Sequence, residues 1–179
     1  RGLGDVYKRQ GNYVGGIIGE GGSATRIYGC QVIDAEISGN TTIGGVAGSN
    51  EGVIVACTVS SKISAGQWIA GGITGPNSGT ITACCFSGNL SISMWSNKIG
   101  GIASSNSRTI TACYWDTYDG NGVGSENGGD ATKVDGSSVT WATAIDAMNA
   151  AIESWNASNT DHPCDCRFTG GSDGRPVIE

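Results

Sequence analysis

The sequence predicts an all-β fold: a parallel β-helix, or related β-solenoid, of about four coils of 27–29 residues with a C-terminal amphipathic capping α-helix. Three observations predict it. A glycine pair recurs four times in one apolar setting, as VGGIIG from Val14, IGGVAG from Ile43, AGGITG from Ala70 and IGGIAS from Ile99. A cysteine follows the first glycine of each pair after 13 to 15 residues, at Cys30, Cys57, Cys84 and Cys113. Helical periodicity enters only after the last repeat. Self-similarity at this period marks a stacked architecture whose units bury their apolar side chains against one another.

The pairs Gly15-Gly16, Gly44-Gly45, Gly71-Gly72 and Gly100-Gly101 mark corners, where positive φ or close backbone approach is needed. Between them lie short β-branched runs such as Val53-Ile54-Val55, Thr80-Ile81-Thr82 and Thr109-Ile110-Thr111, which is strand chemistry broken by turn residues. Two or three strands per coil are expected. Alignment on the cysteines puts Ile27, Ile54, Ile81 and Ile110 in one column. Gly29, Ala56, Ala83 and Ala112 form a second, inward-type column, and Val32, Val59, Phe86 and Trp115 a third. In-register rungs about 4.8 Å apart require such columns of like residues. The four ladder cysteines read as buried free thiols, because parallel stacked side chains hold their Cβ atoms farther apart than a disulfide prefers. A β-propeller also repeats, but its blades run about 40 residues.

Residues 1–10, RGLGDVYKRQ, lack the repeat and resemble translated adapter read-through, so they are set aside as a non-native leader of a protein with further domains upstream. The repeats occupy 11–118, and a Gly-rich loop over 119–138 leaves the solenoid. Within 139–179 the stripe Trp141, Ala144, Ile145, Met148, Ala151, Ile152 and Trp155 predicts a helix of roughly four turns, N-capped by Ser138 or Thr140. Its expected task is to cover the exposed edge of the final coil. A last strand is expected near 166–169 or 176–178.

The units VGGIIG, IGGVAGSNEGVIVAC and AGGITGPNSGTITAC resemble the GLUG-motif repeats of bacterial surface and secreted proteins. The closing stretch, from ACYWDTYDGNGVGSENGG to GGSDGRPVIE, resembles the ends of such regions in fimbrillin-like and adhesin-like proteins of gut bacteria. The resemblance covers residues 12–179 and implies a β-solenoid that is extracellular or on the cell surface, with no catalytic residues to carry over. Two departures stand out: Ser104 replaces the last motif glycine of unit four, and Arg108 stands where other units have Gly52 and Gly79.

A net charge of −6 with scattered Lys and Arg argues against nucleic acid as a partner, and no apolar run of about 18 residues offers direct membrane insertion. Catalytic patterns are weak. Gly170-Gly171-Ser172-Asp173-Gly174 imitates a serine-hydrolase elbow, but the single histidine, His162, lies upstream, so a turn is the better reading. Asp34 and Glu36 lie at carboxylate-pair distance on a strand, yet Lys62 and uncharged residues surround them, which favours solvated charge. Asp119, Asn121 and Asp130 partly imitate a calcium loop, but Val123 lacks the oxygen position five needs. His162-Pro163-Cys164-Asp165-Cys166 is spaced too tightly for structural zinc and reads as a turn or a local redox-sensitive thiol pair. The pairs Thr80/Thr82 and Thr109/Thr111 follow from β propensity. Neither a metal nor a cofactor is expected.

Aromatics remain for recognition, with burial in the core as the alternative for each. Trp68 and Trp95 fall in turns between coils, where a ring can stack on a sugar or anchor a protein contact. The function expected is that of a non-catalytic adhesion or ligand-display segment, facing a host or environmental glycan or protein. The alternatives are a carbohydrate-active module, binding or β-helix lyase/glycosidase type, and a structural spacer.

Overall fold

The computed structural model describes residues 12–66, 68–92, 98–125 and 129–179, with the backbone of 7–8. Its parallel strands stack in a β-solenoid of about four coils. Coil 2 shows the plan: Thr42–Gly44, Ala47–Asn50, Val53–Val55 and Thr58–Ala65, four strands per coil rather than two or three. Every strand of this coil pairs in parallel with its equivalents above and below, as in Gly15↔Gly44↔Gly71↔Gly100 and Ile27↔Ile54↔Ile81↔Ile110. The extra strands arise because the glycine pair and the Asn-x-Gly turn each fold one apolar run sharply in two. Coil 1 is longer than coil 2 because of a wider turn at residues 22–25 and a bulge at Asp34-Ala35, the latter placing Asp34 at φ 53°.

The corners work by close approach alone. No glycine of the four pairs has positive φ. A Cβ on Gly71 would meet the Ala103 Cα at 2.9 Å, and one on Gly45 or Gly101 would meet Val59 Cγ1 at 2.6 Å or Trp115 Cγ at 2.5 Å. The second glycine of each pair thus makes room for the Val32, Val59, Phe86 and Trp115 column, whose side chains grow toward the C-terminal end. Positive φ falls instead on Gly29 (60°), Ala56 (54°), Ala83 (52°) and Ala112 (48°). That twist turns these residues outward, so the column expected to face inward lies on the flank of the solenoid.

The helix explains the outward turn. Helix α1, Trp141–Ser158, is N-capped by Thr140 in a reciprocal capping box with Thr143. It does not lie over the open edge of the last coil, the place expected for it. It lies along the flank, where Ala144, Met148 and Ile152 share one buried cluster with Val55, Ala56, Ala83, Cys85, Ala112 and Tyr114. Trp141 Nε1 donates to Asp116 Oδ2 (3.2 Å) at the end of coil 4, and Trp155 meets the Tyr28 ring of coil 1 edge-on at 6.4 Å. Eighteen residues give a helix of about 27 Å, enough to cross every rung at about 4.8 Å each.

The end is closed from within. Trp115, 5% exposed, lies over Gly101 and donates from Nε1 to Tyr118 O (3.0 Å). Two parts of the segment expected as a departing loop stay on the stack: Val123–Ser125 pairs with Ala103–Ser105 and Ala131–Lys133 with Cys113–Trp115, a partial fifth rung. Both expected tail positions form strands, Phe168–Gly170 and Pro176–Ile178, in one antiparallel hairpin. Tyr7–Lys8, in the segment expected as a leader, pairs in parallel with Ile37 and Ser38.

Two ladders run through the core. Asn50, Asn77 and Asn106 stack amide on amide, Nδ2 to Oδ1 at 2.7 and 2.8 Å, while each Oδ1 accepts the backbone N–H two residues on. Cys30, Cys57, Cys84 and Cys113 are free, and each thiol donates to the carbonyl two residues back at 3.3–3.4 Å. Burial pushes the Cys84 and Cys85 thiols up. The Cys57 sulfur, and then burial, do the same for Cys30. A column of small, buried, unbridged sulfur side chains of this kind is packing material.

Candidate recognition surface

Trp68 stands in the turn between Ala65 and Ile69 and is 63% exposed, the most exposed large apolar side chain among the described residues. Its turn is held on the turn of the coil below: Gly66 N donates to Gly39 O (2.8 Å) and Ile69 N to Thr41 O (3.0 Å). Residues on either side of the ring are therefore tied to the coil below. Tyr13, 41% exposed, lies two rungs away on the same edge, at the register position of Ile69. Trp95 lies outside the described residues.

The turn borders the widest strand face of the molecule. Alternation puts Ile37, Ile63 and Leu90 inward and leaves two polar columns outside. In one, Ser38, Ser64 and Ser91 are in register, and the last two hydroxyls meet at 3.2 Å. In the other, Lys62 stands between Glu36 and Asn89 and binds Glu36 Oε1 at 2.8 Å. That ion pair is largely exposed, so it contributes about 0–1 kcal/mol and balances charge more than it holds the fold. An exposed indole beside a charge-balanced field of hydroxyls, amide and ion pair suits a polar, uncharged ligand.

The weaker sequence candidates are separated by their surroundings. Glu36 is engaged by Lys62, while Asp34 sits on the bulge. In the calcium-like loop, Asp119 pairs with Lys133 (2.9 Å) and Asp130 Oδ2 accepts the Ala112 N–H (2.8 Å), so the two acids serve different partners. Gly170–Gly174 is the turn of the terminal hairpin, with Asp173 Oδ1 accepting the Arg175 N–H at 3.0 Å. Among the described residues, no group of three His, Cys, Asp or Glu is placed to hold a metal ion, and no helix is long and apolar enough to cross a membrane. Tyr114 is buried against the helix, and Tyr118 packs partly on the core, which raises its phenol pKa.

Sequence reasoning missed three features. The asparagine ladder had a signal in the recurrence of Asn50-x-Gly52, Asn77-x-Gly79 and Asn106-x-Arg108. The serine column had one in its spacing. Asp116 had none: its Oδ2 gathers Trp141 Nε1, Arg175 Nε (3.0 Å) and Arg175 Nη2 (2.9 Å), tying coil 4, α1 and the hairpin together. No family model, no curated protein and no solved structure matches this chain.

Proposed function

We propose that this chain is a non-catalytic, GLUG-type β-solenoid segment of a secreted or cell-surface bacterial protein that displays a binding face to a host or environmental glycan or protein. The observation that carries this reading is Trp68, exposed on a stacked turn beside a flat polar face. The ties at Gly66 and Ile69 matter because an anchor whose flanks are already held loses less freedom on binding. Repetition supplies the length of the face, and the polar columns supply direction. In the spacer reading, the in-register core and the helix that braces it are the whole function.

Binding to immobilised mucin glycans, plant polysaccharides and matrix proteins separates the two. Saturable binding that weakens by about tenfold or more in Trp68→Ala is expected, the loss typical of an aromatic anchor. Trp95→Ala, measured beside it, tests the second expected contact. A folded chain that binds nothing in such a panel leaves the spacer reading.

A further inference from the structure

Cys164 and Cys166 stand apart from the thiol ladder, on the segment that joins α1 to the terminal hairpin. Both line a groove of about 260 Å³, with Asn149, Asn156 and Arg167 among its other walls. Asn156 holds Cys164 from two sides, accepting its N–H (2.7 Å) and donating to its carbonyl (3.0 Å). Asn149 does the same for Phe168 at 2.8 and 3.0 Å. The segment is thus pinned on either side of Cys166. Cys164 is 2% exposed, whereas Cys166 is half-buried. Burial, and then the adjacent Cys166 sulfur, push the Cys164 thiol up to about 12.

The inner side of Cys166 rests on Gly29. In the next three coils this position is Ala56, Ala83 and Ala112, with the same left-handed φ. A Cβ on Gly29 would overlap the Cys166 sulfur, so the sulfur occupies the place of the alanine methyl.

We infer that Cys164 and Cys166 form a redox-active dithiol that exchanges with low-molecular-weight disulfides, Cys166 attacking first from the groove and Cys164 resolving. The Cys166 thiolate attacks one sulfur of glutathione disulfide. The S–S bond of the reagent breaks, a mixed disulfide forms, and one glutathione leaves, taking the proton that Cys166 gave up. The Cys164 sulfur, giving its proton to solvent base, then attacks Cys166. A Cys164–Cys166 bond forms and the second glutathione leaves and is protonated. Two protein thiols are oxidised and one external disulfide is reduced to two thiols.

The test uses the full chain, reduced and then exposed to excess glutathione disulfide under native conditions, with thiols counted in denaturant and linkages mapped by mass spectrometry. The seven free thiols should fall by two, with Cys164 and Cys166 joined in one peptide. Cys164→Ser should accumulate glutathione on Cys166. In Gly29→Ala the added methyl moves the Cys166 sulfur toward the groove and should speed the first step. If Cys164→Ser loses its native circular dichroism, wild-type mapping and Gly29→Ala decide between them. Seven persistent thiols, or a bond mapped to Cys30, Cys85 or a second chain, overturns the inference.

Discussion

Asn77 is the middle of three stacked amides, and its removal takes a hydrogen bond from groups on both sides. Asn77→Ala leaves the Asn50 Nδ2 and the Asn106 Oδ1 without their ladder partners and frees the Gly79 N–H. An unmatched buried N–H at Gly79 costs about 1–3 kcal/mol and each lost ladder bond about 0.5–1.5 kcal/mol, so a loss of about 2–4 kcal/mol is expected in urea unfolding. Asn106→Ala, at the end of the ladder, should cost less. Equal losses would mean that the three amides act separately. Gly72→Ala tests the corners: its Cβ would sit 2.8 Å from the Phe86 Cβ, with the Gly101 carbonyl on its other side. Neither neighbour can give, so about 3 kcal/mol or more of destabilisation is expected, at the upper end for overpacking. The sequence located these glycines as corners but could not separate positive φ from close approach. That distinction depends on the neighbouring coil, which local text does not contain.

Helix α1 was legible as an amphipathic stripe, whereas its destination was not. The stripe states that one face is buried and is silent about which surface buries it. The deciding clue was the alanine column, misread as inward because strand alternation was carried through residues whose left-handed φ breaks it. Left-handed alanine costs about 1–2 kcal/mol. Burial of each methyl against α1 offsets about 0.8 kcal/mol of that cost, and a bare backbone there would leave a gap beneath the helix. Met148→Ala should therefore lower the unfolding midpoint by an amount equal to about 2–5 kcal/mol with no change in the urea m-value. A loss below about 1 kcal/mol would mean that the helix is loosely applied. The approach to the helix is held by Asp135, whose carboxylate accepts the N–H groups of Val139 (3.0 Å), Ser137 (2.8 Å) and Ser138 (2.8 Å). These bonds, that from Val139 first, lower its pKa to about 2. A carboxylate depressed in the fold stabilises above its unfolded pKa, about 3.9, and loses that contribution as pH falls through about 2. The Val139 amide resonance should accordingly hold its position from pH 7 to about pH 4 and move only as pH approaches 2. Movement centred near pH 4 would show that the loop is open in solution.

At the scale of the whole molecule, the solenoid and its helix are two rulers laid side by side. The coil count was legible because each coil repeats its own text, and the candidate surface was legible only as two indoles, Trp68 and Trp95. The polar columns beside Trp68 emerge from register, which no one repeat states. Stacked coils interact with nearest neighbours, so an array without a brace should lose a coil and refold in register. Deleting residues 44–70 joins Ile43 to Gly71 and removes one such coil. The brace changes the outcome. With one rung of about 4.8 Å gone, α1 can keep Trp141 on Asp116 or Trp155 on Tyr28, but not both. Deleting residues 144–147 as well removes about one helical turn, 5.4 Å, keeps the Thr140–Thr143 cap and brings Met148 to the position of Ala144. The doubly deleted chain should therefore melt at a higher temperature than the chain lacking the coil alone, although it is shorter. An ordinary additive loss would put it lower, and that order of melting temperatures would show that the flank tolerates any helix of sufficient length.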